Sequence, residues 1–165
     1  MSPSHSPRRR LPWRLRMLAL YPPLAGAGVR ARVTATDPFA FESVMKLAWW
    51  NRNYVGTQFG GSLYTMCDPF YMLILLDALG RDYVVWDKAA TIRFRRPGRG
   101  TVRARFEIPR QRIEEIRAEA DRAGRAEPSF TAEVRGAEGE LVAEVEKLLS
   151  VRPKPAPAEI RGQDG

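Results

Sequence analysis

The sequence holds one cysteine, Cys67, and one histidine, His5. A lone cysteine forms no disulfide within the chain, and a reducing compartment is expected. His5 lies in a start rich in Ser, Pro and Arg, far from any core position. No Cys/His metal cluster can therefore be assembled, and neither a Ser-His-Asp triad nor a Cys-His dyad has its imidazole. Chemistry here must use carboxylates, amines, hydroxyls or backbone, with no cofactor and no metal. Cys67 itself reads as a small core residue, because nothing nearby in sequence would lower its pKa. Long hydrophobic runs are also missing. The most apolar stretch, Phe70 to Leu79, falls short of the roughly 17 residues that cross a bilayer, and Asp68, Pro69 and Asp77 interrupt its surroundings, so no membrane span is expected.

Acidic residues are absent from residues 1–36, which carry seven arginines. The net charge of +8 first suggests nucleic acid or an anionic surface, yet residues 37–151 balance 17 bases against 17 acids. The core is neutral, so the excess reads as a basic arm and no specific nucleic-acid partner is expected. With 165 residues, 44% of them hydrophobic, one domain is expected. Its division is a basic arm over 1–19, partly disordered, a folded domain over 20–151 and a flexible tail over 152–165. Leu11 to Leu20 reads as a short amphipathic helix. Three arginines followed by an apolar run imitate a signal peptide, but Pro22-Pro23 breaks the run, and a cytoplasmic location is the expectation.

Phe70 to Leu79 is apolar on every side of a helical wheel except at Asp77, as a helix buried all round requires. Before it stand Gly60 and Gly61, which allow close approach of a backbone or ligand, at a helix start whose free N–H groups suit developing negative charge. Around this segment the period is two. Val29, Ala31 and Val33 alternate with polar neighbours, and Phe41 to Trp50 reads as a second strand. Tyr83 to Arg95 reads as a third strand, with Trp86, Lys88, Ala90, Ile92 and Phe94 on one face. Val102 to Ile108 alternates inward, residues 110–123 form a charged helix, and Phe130 to Arg135 and Leu141 to Val151 complete the strands. This order implies an α+β fold, an antiparallel sheet curled around one long helix.

Asn53, Gly56-Thr57, Phe59-Gly60-Gly61 and Asp68 keep the spacing of a signature in which an Asn is followed by Gly-Thr, by His-Gly-Gly and by an Asp eight residues after the first of those glycines. In these residues, the buried helix and the Phe94-Arg95-Arg96-Pro97 strand end, residues 20–151 resemble the hotdog-fold acyl-CoA thioesterase superfamily. The likeness is to the phenylacetate-pathway type and to a thioesterase-like branch of unknown function. Phe59 stands where that family has histidine. The resemblance implies a thioester substrate on coenzyme A or an acyl carrier, a homodimer or homotetramer, a thioester carbonyl at the N–H of Gly61, and Asp68 as base or nucleophile. A non-catalytic acyl-binding protein is the alternative.

Geometry adds a constraint. Gly61 and Asp68 stand about 10 Å apart along a helix at 1.5 Å per residue, so one chain does not easily bring both to one reacting centre. A site shared between subunits is expected. Asp77, nine residues beyond Asp68, faces the other way at 100° per residue. Ser62 and Thr65 fall on the Asp68 side and are candidates to orient water or the carboxylate, and Asn53 and Phe59 to touch the ligand. The alternative reading of Asp68 is an N-cap before Pro69, and that of Asn53 is turn geometry. Lys88 is either an ordinary surface lysine or a partner of Asp68. Of the arginines at 93, 95, 96, 99, 103 and 105, Arg93 and Arg95 suit pairing with Glu144 and Glu146 in the hotdog strand order. That leaves Arg96 and Arg99 as phosphate ligands.

Overall fold

A computed structural model describes residues 21–155, so the arm and most of the tail lie outside the described residues. A short helix α1 (Pro22–Gly26) leads into β1 (Val29–Thr36) and β2 (Phe39–Lys46). A loop carries the chain to two helices in tandem, α2 (Gly60–Thr65) and α3 (Phe70–Leu79). Then follow β3 (Tyr83–Phe94), β4 (Thr101–Phe106), α4 (Arg110–Ala123), β5 (Ser129–Arg135) and β6 (Leu141–Pro153). The six strands form one antiparallel sheet in the order β1-β2-β4-β5-β6-β3. This is the α+β arrangement expected. The second strand starts and stops earlier than the sequence suggested, because residues 47–59 are held as a loop by Asn51. Its side chain accepts the Ala48 N–H and donates to the carbonyls of Lys46 and Ala27.

Alternation puts Phe41, Ser43 and Met45 of β2 opposite Phe106, Ala104 and Val102 of β4 on the inner face. Against them α3 buries Phe70, Ile74 and Leu75 completely. The ring of Phe70 stacks on Phe106 at 4.4 Å, and Tyr71 stacks on Phe130 at 4.8 Å while its hydroxyl donates to the Thr131 carbonyl. Each such side chain contributes about 1.5–3 kcal/mol by leaving water, which is why an apolar helix needs the sheet around it. By length and composition Gly60–Leu79 would suffice to cross a bilayer; here it is the helical centre of the fold.

On the outer face Arg93 meets Glu146 at 3.3 Å and Arg95 meets Glu144 at 3.3 Å, the pairing that β3 beside β6 requires. One expectation for β3 is corrected. A bulge between Asp87 and Ala89 shifts the register by one residue, so the side chains opposite inward β6 residues are Val85, Asp87, Ala90, Ile92 and Phe94. Trp86 and Lys88 are turned outward, where Lys88 pairs with Glu127 at 2.7 Å. Lys88 is therefore not the partner of Asp68.

Candidate functional site

Asp68 sits in the break between α2 and α3. Pro69 has no N–H for the Thr65 carbonyl, which accepts the Asp68 N–H instead at 3.3 Å, and the Met66 carbonyl takes the hydroxyl of Ser43 at 2.7 Å. The Thr65 and Met66 carbonyls thus keep partners at the kink. Pro69, not Asp68, occupies the position ahead of α3, and the Asp68 carboxylate is directed to side chains, which removes the N-cap reading. Oδ1 of Asp68 accepts the Tyr64 hydroxyl at 2.7 Å and the Lys147 ammonium at 2.7 Å. Among the described residues both of these bonds fall on Oδ1, and the side chain is 46% exposed.

Lys147, Tyr64 and Asp87 complete the cluster, and the sequence reading did not single them out. Lys147 projects from the inner face of β6 between Ala90 and Phe130, with 1% of its side chain exposed. It reaches Asp68 at 2.7 Å, Asp87 at 3.1 Å and the Tyr64 hydroxyl at 3.2 Å. Burial by itself pulls the ammonium's pKa down. The bonds to Asp68 and Tyr64, with Asp87 behind them, outweigh burial and hold it above the ordinary lysine value. Burial also leads in raising the Tyr64 hydroxyl, helped by the bond to Asp68, and pushes the Cys67 thiol far up, so Cys67 stays an unreactive core thiol. A signal for Lys147 did exist: Ala143, Val145, Leu149 and Val151 alternate inward, and residue 147 falls in that series.

The glycine pair opens α2. A side-chain carbon on Gly60 would lie 2.9 Å from the Phe94 ring, and one on Gly61 would lie 2.5 Å from the Phe59 ring. A larger residue at either position would have to displace one of these rings. Phe59, 54% exposed, lies over Gly61 where the signature has histidine. Ser62 is buried, and the Thr65 hydroxyl donates back to the Gly61 carbonyl at 2.8 Å, so neither reaches Asp68 in the described contacts.

Beside Gly60 is a cleft of about 390 Å³ lined by residues that include Asn53, Gln58, Leu63, Phe94 and Arg96. Its Asn53 shapes the loop: Oδ1 accepts the N–H groups of Val55 and Thr57, and Nδ2 donates to the Thr57 hydroxyl. Arg96 is exposed at the rim, whereas Arg99, also exposed, does not line the cleft. Gly61 and Asp68 are not among the cleft's lining residues either. Asp77 borders a different, small cavity with Arg110 and Glu114. Among the described residues no group of three or more His, Cys, Asp or Glu side chains is placed to hold a metal ion.

The model of a family described as a domain of unknown function, DUF4442, matches residues 13–151. The chain belongs to this family. No curated protein matches it. Among solved structures, this DUF4442 chain is similar to a protein of unknown function from Pseudomonas aeruginosa described as a probable thioesterase. The two share 28% identity over 87% of this chain and 97% of the other, with a TM-score of 0.73. A thioesterase from Haemophilus influenzae matches in fold, at 16% identity over 88% of this chain and 94% of its own, with a TM-score of 0.61. A Chlorobaculum tepidum protein of unknown function does so at 16% identity over 86% and 94%, with a TM-score of 0.68. The fold of this DUF4442 chain is the hotdog fold.

Proposed function

We propose that the protein is a thioesterase that hydrolyses an acyl thioester, with Asp68 as its reacting carboxylate and the N–H of Gly61 as donor to the carbonyl oxygen. The observation that carries this reading is Asp68 itself: half-exposed, with its bonds from Tyr64 and Lys147 both on Oδ1. Acting as base, Asp68 takes a proton from water while the water oxygen attacks the thioester carbon. Negative charge gathers on the carbonyl oxygen at Gly61. The C–S bond then breaks, the proton held by Asp68 passes to the leaving sulfur, and the products are a carboxylic acid and a thiol. Acting as nucleophile, its oxygen would attack first and water would cleave the mixed anhydride that results.

Because Gly61 opens α2 and Asp68 follows its end, the reading assigns each site two subunits, one giving the glycines and the other the aspartate. Support comes from β3, a twelve-residue strand at the sheet edge with Phe94 56% exposed and Ala89, Ala90 and Thr91 uncovered beside the Asp68 cluster. A long apolar edge of this kind is normally covered. The carrier we infer is coenzyme A, its phosphates met by Arg96 and Arg99 and its arm by Asn53, Phe59, Ser62 and Thr65.

Phe59 favours a second reading, an acyl-binding protein without turnover, since a phenyl ring lies on Gly61 in place of an imidazole. Thiol release from acyl-CoA substrates of graded chain length separates the two. Sustained release by the wild type is expected; acyl-CoA binding with no release supports the second reading, and neither binding nor release contradicts both.

A further inference from the structure

We propose that Lys147 is the positioning residue of the site: backed by Asp87 and joined by Tyr64, it fixes Oδ1 of Asp68 so that Oδ2 is the oxygen presented to water or substrate. This role rests on the thioesterase reading above.

Residue 147 falls in an inward series of Ala143, Val145, Leu149 and Val151, all fully buried, where the strand pattern calls for an apolar side chain. An ammonium there must be stripped of water, a penalty that ion pairs recover only with good geometry, and replacing all members of such a cluster by apolar residues is often neutral or stabilising. Stability alone is a weak reason for this residue. The ammonium is nonetheless well surrounded: it donates to Asp68 at 2.7 Å and to the Tyr64 hydroxyl at 3.2 Å, and it pairs with Oδ2 of Asp87 at 3.1 Å.

The supports of the cluster are also specific. Asp87 keeps the inward phase of Tyr83 and Val85, and the bulge after it restarts that phase at Ala90, so Asp87 and the residue opposite Lys147 both face inward. Tyr64, one helical turn before Asp68, donates to the same Oδ1 that Lys147 holds. Two donors from different elements, α2 and β6, thus converge on one oxygen of a half-exposed carboxylate. A carboxylate pinned this way has lost its rotational freedom and keeps its second oxygen available, which is the preorganisation that catalysis at one centre requires.

The test is steady-state thiol release by the full-length wild type, Lys147→Met, Tyr64→Phe and Asp68→Asn, on an acyl-CoA that the wild type hydrolyses, with thermal melting alongside. Lys147→Met is expected to lower kcat at least about tenfold with KM within about twofold, and Tyr64→Phe to lower kcat about threefold or more, because each loses alignment and not substrate binding. A Lys147→Met enzyme that melts earlier but keeps kcat within about twofold, or that changes KM alone, overturns the role. If Lys147→Met does not fold, Tyr64→Phe decides, since it removes one oxygen only; an unchanged kcat there overturns the role as well. Asp68→Asn as fast as wild type, or a wild type with no turnover, defeats the thioesterase reading and this role with it. Loss in Asp68→Asn with none in the other two defeats the positioning role alone.

Discussion

Two acidic side chains are held by cations in opposite ways. Asp68 is half-exposed and its lysine is buried, whereas Glu42, 2% exposed on β2, is held by the exposed arginines Arg32, Arg103 and Arg105. Burial by itself would raise the Glu42 pKa; the bond and charge of Arg32, with Arg105 and Arg103, outweigh it and hold the carboxyl below its ordinary value. A carboxyl depressed in the folded state stabilises the fold above its unfolded pKa, and that contribution is lost as pH falls through the folded value. Glu42→Gln should therefore melt below wild type at pH 7, by the few degrees that about 1 kcal/mol implies, and the two curves should converge in acid. Melting temperatures from pH 7 down to pH 3 check this; a constant gap would contradict it.

At the scale of elements, the break between α2 and α3 and the bulge in β3 do most to place the site. Ser43→Ala should leave the Met66 carbonyl without its partner inside the core and cost about 1–3 kcal/mol in urea unfolding. Phe70→Ala, which removes the ring stacked on Phe106, should cost about 3–5 kcal/mol in the same measurement. Both devices also mark where sequence patterns lose their force. Strand alternation in β2, β4 and β6 was legible because each strand keeps one phase, and the arginine–glutamate pairing of β3 with β6 followed from it. The bulge at Asp87 inserts a residue and reverses the phase, so Trp86 and Lys88 were assigned to the wrong face, and Lys88 was considered where Lys147 holds the place. Asp68-Pro69 was ambiguous for a different reason: the pair reads equally as a helix start and as a kink. What decides is a tertiary bond to β6, 79 residues away. The signature spacing from Asn53 to Asp68 pointed to this segment, but Tyr64 and Lys147 carry no motif, only a place in a period.

At the scale of the whole molecule, the described residues form one sheet with β3 at its edge, an apolar centre and a charged outer face of paired arginines and glutamates. The exposed aromatic side chains of β3, and a glycine pair set apart from Asp68 along the α2–α3 segment, are expected to find their complement in a second copy. Light scattering at micromolar concentration should give a dimer or tetramer; a monomer alone would contradict the shared site.

The central claim is that Asp68 does the chemistry, and thiol release by Asp68→Asn beside Asp77→Asn tests it most directly. Both variants exchange one carboxylate for an amide of nearly the same shape in the α2–α3 segment, but Asp77 borders a separate cavity near α4. The account predicts a fall of at least about 100-fold in kcat for Asp68→Asn with acyl-CoA binding retained, and turnover close to wild type for Asp77→Asn. An equal loss in both variants, or no loss in Asp68→Asn, would contradict it.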